Sequence, residues 1–161
     1  MAIAVGDKVP DVELKMLGED GMPASVSSAE VLGRGKVVLF AVPGAFTPGC
    51  TKQHLPGFVQ GADALAGKGV DKIVCVAVND AWTLDAWAEG QGAKGKIEML
   101  ADGNADFAKA MGLTFDGSGF GLGTRSQRYA AVIEDGIITK LEVEPGPGVN
   151  ASSCENILSK L

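Results

Sequence analysis

Two uninterrupted apolar runs organise the chain: one at residues 36–42, led by Lys36, and one at residues 73–78. Runs of this length without polar interruption predict strands buried on both faces, as in the interior of a parallel sheet. Between them, Phe58, Val59, Ala62, Leu65 and Ala66 recur at helical spacing. They predict a helix that begins near Pro48, is kinked or divided by Pro56, and closes at Gly67 and Gly69. Upstream, Val12, Leu14 and Met16 alternate with Asp11, Glu13 and Lys15, which predicts a half-exposed strand over residues 11–17 followed by a turn at 18–21. The Ser27-Ser28-Ala29-Glu30 stretch has capping-box spacing and starts a short helix ending near Gly33.

Downstream, Asn79-Asp80 caps a helix over residues 81–89, in which Trp82 and Trp87 cannot share one narrow face. Ile97, Met99 and Leu100 form a short strand. Asn104 is the expected cap of a helix through Met111, with Gly112 as its stop. Residues 114–123 read as a glycine-rich loop without the spacing of a dinucleotide fingerprint, and no phosphate-binding loop surrounds Lys36 or Lys94. The runs 125–134 and 137–144 flank Asp135-Gly136, a strong signal for an antiparallel hairpin. After a break at 145–148, Ser152-x-x-Glu155 is the expected capping box of a last helix through Leu161. A parallel β-α-β unit followed by a β-β-α unit predicts an α/β, thioredoxin-like fold, a central mixed sheet flanked by helices, in one domain over residues 1–161.

Composition narrows the function classes. The formal net charge is −6 at pH 7, which argues against nucleic acid or an anionic membrane as the main partner. No apolar stretch is long enough to cross a bilayer, and the first residues lack the basic and apolar regions of a signal peptide. Three widely spaced cysteines, Cys50, Cys75 and Cys154, do not suit a disulfide-stapled scaffold, so a reducing, cytoplasmic setting is expected.

Candidate chemistry concentrates in Pro43-Gly44-Ala45-Phe46-Thr47-Pro48-Gly49-Cys50, the turn between the first buried strand and the following helix. Thr47 reads as the helix N-cap and Pro48 as its first residue, which places Cys50 in the first turn, where unpaired N–H groups and the helix dipole favour a thiolate. A small buried core residue is the competing reading of Cys50. A nucleophile here needs donors, and the Thr47 hydroxyl is expected beside the Cys50 N–H and sulfur. The Gly49 N–H is a further donor, and the missing side chain of Gly49 admits a substrate oxygen. The cation must come from elsewhere: Arg128, at the start of an apolar strand, is the first candidate and Arg125 a weaker one, a solvated strand end being the competing reading of Arg128. His54, four residues after Cys50, raises a Cys-His hydrolase as an alternative, but no acidic orienting partner is visible, and a structural role near Pro56 is favoured. One histidine and three distant cysteines do not make a zinc site, and there is no Cys-x-x-Cys for disulfide exchange.

The Pro43–Cys50 stretch, with His54-Leu55-Pro56-Gly57-Phe58 after it, resembles the peroxidatic motif of the type II peroxiredoxins. Val76-Ala77-Val78-Asn79-Asp80, Leu100-Ala101-Asp102-Gly103 and Gly123-Thr124-Arg125-Ser126-Gln127-Arg128-Tyr129 are similar to the same group, so the resemblance covers nearly the whole chain. It implies a thioredoxin-like fold and reduction of hydrogen peroxide, alkyl hydroperoxides and often peroxynitrite, without cofactor or metal. It makes Cys50 the peroxidatic cysteine, with Pro43, Thr47 and Arg128 as supporting residues, and sets Gly49 where many members carry a larger residue. The oxidised Cys50 is expected to be re-reduced by glutathione with glutaredoxin, or by thioredoxin. Cys75 and Cys154 are the possible resolving thiols: Cys75 is expected to be a core residue, with a resolving role as the alternative, and Cys154, at the start of the last helix, is expected to be exposed and modestly activated. A homodimer formed through the loops around the site, with Phe46 and Trp82 at the interface, is also implied. The alternative is a peroxide-sensing relay that transmits Cys50 oxidation without efficient turnover.

Overall fold

The computed structural model describes residues Met1–Leu161. The chain opens with the antiparallel strands β1 (Glu13–Leu17) and β2 (Pro23–Ser27) and a short helix α1 (Ser28–Leu32). The apolar runs then form β3 (Lys36–Val42) and β4 (Lys72–Ala77), parallel neighbours joined through α2 (Leu55–Gly67). Next come α3 (Ala81–Gly90), β5 (Glu98–Ala101, parallel to β4) and α4 (Asp106–Met111). A two-stranded ribbon of β6 (Thr114–Asp116) and β7 (Thr124–Ser126) precedes the hairpin of β8 (Tyr129–Glu134) and β9 (Ile137–Val143) and the last helix α5 (Cys154–Ser159). The main sheet runs β2-β1-β5-β4-β3-β8-β9, with parallel pairs at its centre and antiparallel pairs outside them.

Successive residues of the central strands point to opposite faces, and both faces are covered. Val38, Phe40 and Val42 of β3, Cys75 of β4 and Val132 of β8 pack under α2, α3 and α5, against Phe58, Leu65, Leu84, Trp87 and Ile157. Val37, Leu39, Val74, Val76 and Ile133 pack on the other side against Leu32, Phe107 and Met111. This two-sided burial is why β3 and β4 read as continuous apolar runs rather than alternating ones. Burying each of these larger side chains contributes about 1.5–3 kcal/mol.

The Ser- and Pro-containing stretch 23–27, for which the sequence carried no expectation, is a strand because it pairs along β1 at the edge of the sheet, where little burial is demanded of it. Several local expectations need correction. Asn104 does not cap α4. That helix is held by Asp102, whose carboxylate accepts from the N–H groups of Phe107 and Ala108, both at 2.9 Å, while Ala105 takes φ 63°. Ser152 does not cap α5; Ser153 does, its hydroxyl accepting from the Asn156 N–H at 3.1 Å. The glycine-rich loop contains the β6/β7 ribbon, so the expected strand 125–134 is two strands separated by Gln127 and Arg128. The helix after the first buried strand is divided at Pro56, as expected, but by an unusual device described next.

Candidate active site

From the end of β3 the backbone enters residues 43–49, which are tied to the link after β4 where the Ala45 N–H donates to the Asn79 side chain at 2.9 Å. Phe46 takes φ 65°, a left-handed conformation rare for a bulky residue and costing of order 1–3 kcal/mol. The chain then forms a π-helical turn, Cys50–His54, before α2 begins at Leu55. The Leu55 N–H reaches back to the Cys50 carbonyl. Pro56 has no N–H to bond the Lys52 carbonyl, so the α-helical ladder is already broken where the wider turn is inserted. Trp87 of α3 clamps the turn by donating its indole N–H to Thr51 Oγ1 at 3.1 Å.

Thr47 stands at the start of the helical run, as expected: Pro48 follows as the first helical residue, and the Thr47 carbonyl accepts from the Thr51 N–H at 3.0 Å. Its side chain does not cap, because the hydroxyl donates to the Gly44 carbonyl at 2.6 Å instead. With its proton committed to Gly44, the Thr47 hydroxyl retains only acceptor capacity toward any third group.

The Cys50 sulfur is fully buried, and Arg128 Nη2 donates to it at 3.2 Å. Arg128 comes from the two-residue link between β7 and β8, and its backbone is pinned where the Glu144 N–H donates to its carbonyl at 3.0 Å. Its other terminal nitrogen, Nη1, lies 2.9 Å from His54 Nδ1, and His54 Nε2 lies 2.9 Å from the Ser152 carbonyl. A guanidinium can only donate, so Nδ1 is the acceptor and Nε2 carries the proton that bonds Ser152. Burial, and then the positive charge of Arg128, push the His54 pKa down to about 3, so the ring is neutral. Phe40 and Phe58 stack at 4.2 Å beside it, with His54 tilted at 5.0 Å from Phe40 and 5.6 Å from Phe58. Ser152 is fixed in turn, its N–H and hydroxyl donating to Glu144 Oε2 at 2.8 and 2.6 Å. Burial alone would raise the Glu144 carboxyl, but the Ser152 bonds and the Asn150 N–H at 2.8 Å hold it below the ordinary carboxylate value.

Arg125 does not touch the sulfur. Its Nε donates to the Leu122 carbonyl at 3.0 Å and its Nη1 to the Pro43 carbonyl at 3.4 Å, so it braces the loop that carries Thr47. Gly49 lies under the Arg128 guanidinium: a Cβ there would stand 3.1 Å from Nη2. Pro43, Gly49 and Arg128 line one side of a cleft of about 730 Å³ whose other walls include Phe115, Phe120 and Pro145.

The three thiols are free and buried. Cys75 faces the same side of the sheet as Phe40, and burial, reinforced by the nearby Cys50, pushes its thiol well above the ordinary value despite Arg128. Cys154, expected to be exposed and modestly activated, is 4% exposed and packed against α2, and burial pushes it up to about 11. At Cys154 the apolar contact with α2 outweighs the helix start.

Sequence reasoning recognised the helical spacing of Cys50 and His54 but missed that His54 binds Arg128; it gave Ser152 the role of a helix cap and did not single out Glu144. The i, i+4 spacing was a visible signal. The partner was not, since it lies 74 residues further along.

A thioredoxin-like sheet with a buried free thiol at a strand-to-helix turn, held against an arginine, defines a thiol-based redox protein. The chain matches the Redoxin family model over residues 4–158. It is 46% identical over 163 residues to the chloroplastic Peroxiredoxin-2E-2 of Oryza sativa subsp. japonica, covering 99% of this chain and 72% of that one. It is 39% identical to Peroxiredoxin-2B of Arabidopsis thaliana, over 99% of this chain and 98% of that one. The crystal structure of reduced Prx3 of Vibrio vulnificus in complex with H2O2 superposes with a TM-score of 0.93 at 48% identity, covering 98% of each chain. The chain belongs to the redoxin family and, within it, to the type II peroxiredoxins; it is a thiol peroxidase.

Proposed function

We propose that Cys50 is the peroxidatic thiolate, that it reduces hydrogen peroxide and alkyl hydroperoxides, and that it is regenerated by glutathione with glutaredoxin or by thioredoxin. The observation that carries this reading is the Arg128 guanidinium at 3.2 Å from the Cys50 sulfur, at the edge of an open cleft. A fixed positive charge there suits an anionic sulfur and the negative charge that develops on a leaving oxygen. The thiolate attacks the terminal peroxide oxygen. An S–O bond forms as the O–O bond breaks, and its electron pair leaves on the departing oxygen, which takes a proton and is released as water or an alcohol. Sulfur is oxidised by two electrons to a sulfenic acid. One external thiol condenses with it, releasing water and leaving a mixed disulfide; a second thiol displaces the first and restores Cys50.

In this reading Thr47 accepts the peroxide O–H, because its own proton is held by Gly44. Pro43 closes one wall of the cleft, and Gly49 leaves room for both Arg128 and a substrate oxygen. The placement of Cys75 inside the central strand β4 and of Cys154 in the joint between α5 and Gly61 of α2, each away from the cleft, supports resolution by an external thiol rather than by either of them. The apolar cleft walls near Phe115 and Phe120 support alkyl hydroperoxides as substrates beside hydrogen peroxide. Phe46 and Trp82, 60% and 52% exposed, support a homodimer through the loops beside the site. Three free thiols support a reducing compartment such as the cytoplasm. The test is peroxide consumption with glutaredoxin/glutathione and with thioredoxin separately. Turnover with at least one system that disappears in Cys50→Ser is expected; oxidation of Cys50 without turnover under either would overturn the proposal.

A further inference from the structure

We propose that Asp116 selects substrates by charge: its carboxylate on the wall of the Cys50 cleft admits neutral alkyl hydroperoxides and repels those that bring a carboxylate into the cleft. This inference rests on reading Cys50 as the reacting thiol. Asp116 ends β6 and lines the cleft together with Phe115 and Phe120. The Ser118 hydroxyl and N–H both donate to Asp116 Oδ1, at 2.5 and 3.0 Å. These bonds fix the side chain and, the hydroxyl most, hold its carboxyl below the ordinary carboxylate value. The residue is exposed, no protein donor engages Oδ2, and no Lys or Arg pairs with the carboxylate. Its charge is therefore open to whatever enters.

Nothing else in the cleft offsets that charge. Arg128, Asp116 and Glu144 are the charged side chains that line it. The planar fork of Arg128 is occupied at both ends, by Cys50 Sγ at 3.2 Å and by His54 Nδ1 at 2.9 Å. Once Cys50 ionises, the thiolate balances the guanidinium. Glu144 is engaged by Asn150 and Ser152, donors without charge, so its own charge also stands. An arriving anion thus meets more negative charge than positive.

The apolar walls act in the other direction. Phe115, Phe120, Pro145 and Pro147 offer contact to an uncharged body, in a cleft of about 730 Å³ that suits a substituted benzene ring. A carboxylate on the far end of such a ring stays within the ~8 Å over which charges act at physiological salt. The cleft therefore favours an apolar hydroperoxide and disfavours the same molecule carrying a negative charge.

Two probes isolate the charge: the para-carboxylic acid of cumene hydroperoxide, an anion at pH 7, and its methyl ester. Stopped-flow rate constants for Cys50 oxidation are compared as the acid-to-ester ratio, at low and at high salt. Asp116→Asn keeps an oxygen for the Ser118 donors and removes the charge. It is expected to raise the ratio about threefold or more at low salt, and Asp116→Lys to raise it further. Added salt should raise the ratio in the parent and change it much less in Asp116→Asn. A shift of the loop alone would not create that difference in salt dependence. A ratio unchanged in both variants overturns the inference, as does a parent ratio that salt leaves alone. The same comparison with iodoacetate and iodoacetamide, followed on the Cys50 peptide by mass spectrometry, involves no peroxide, and Cys50→Ser is the blank for both. If the parent reduces neither hydroperoxide yet the iodoacetate-to-iodoacetamide ratio rises in Asp116→Asn, the charge role of Asp116 stands and the peroxidase reading of Cys50 falls. If the hydroperoxides react and neither ratio moves, the peroxidase reading stands and the selection by Asp116 falls.

Discussion

Cys154 Sγ fills the space that a side chain on Gly61 would need, so α5 seats on α2 through a sulfur set against bare backbone. This contact explains why Cys154 is buried although it opens a helix. Gly61→Ala should therefore overpack the joint and destabilise the fold by about 1–3 kcal/mol. The Gly61→Ala/Cys154→Ala double variant should be less destabilised than Gly61→Ala alone, because removing the sulfur frees the space the new methyl takes. Urea unfolding of the four proteins of this cycle checks it, and additive effects would show that the two residues do not share the space.

The same burial bears on turnover. Cys75→Ala and Cys154→Ala should each keep peroxidase turnover within about twofold with a reductant that supports the parent, whereas Cys50→Ser loses it. Loss of turnover with every reductant in either variant would mean that the thiol resolves Cys50 after all.

Acid should unfold this protein partly through His54. The group has a pKa near 3 when folded and about 6.5 when unfolded, so between these values the unfolded chain holds a proton that the folded one does not. Stability is thus present above about pH 6.5 and is lost as the pH falls, by up to about 1.4 kcal/mol per pH unit from this group. Glu144, whose carboxyl is depressed, adds a loss of the same sign at lower pH, while Asp102, raised by burial against its two N–H bonds, works in the opposite direction. Denaturant titrations at pH 7 and 5 should show the drop in the parent and a much smaller one in His54→Asn.

Asp102 caps α4 from outside the helix. Asp102→Ala should cost about 1–2 kcal/mol, since the N–H groups of Phe107 and Ala108 lose their acceptor in a buried setting, and Asp102→Asn should recover part of it. Chemical denaturation reads the difference, and peroxide turnover at saturating stability should not change.

Gly49→Ala tests the fit beneath Arg128. Its methyl would meet the guanidinium at 3.1 Å, the far end of a flexible side chain, so the fork shifts by a few tenths of an ångström while the fold persists. A fall of a few-fold in the rate constant with peroxide is expected, against the ~100-fold that a displacement near 1 Å can cause. An unchanged rate would show that the fork has slack.

The central strands, the hairpin at Asp135-Gly136 and the division of the helix at Pro56 were legible because each rests on neighbours in the chain: apolar runs, a dipeptide that accepts positive φ, and an imino acid without a donor. Caps were less legible. Asn104 and Ser152 have the right chemistry at nearly the right place, but Asp102 and Ser153 are the groups whose oxygens reach the free N–H groups, a matter of one or two residues that backbone geometry settles. β2 left no sequence signal because its partner, not its composition, makes it a strand.

At the site, residue types and short spacings located Cys50, Thr47 and Gly49 on one turn and singled out Arg128 as a cation needing a partner. That much follows from local chemistry, since a cysteine after a strand and beside a proline–glycine turn already restricts its surroundings. The Arg128–His54–Ser152–Glu144 chain, the burial of Cys154 against Gly61 and the Thr47 bond to Gly44 emerged with the folded molecule. Two of these join residues separated by dozens of positions, and the third turns on a hydroxyl choosing between two nearby partners. Hydrogen bonds and steric fit are short-ranged in space and indifferent to distance along the chain, so such pairings exist only once packing has brought the groups within about 3 Å of one another.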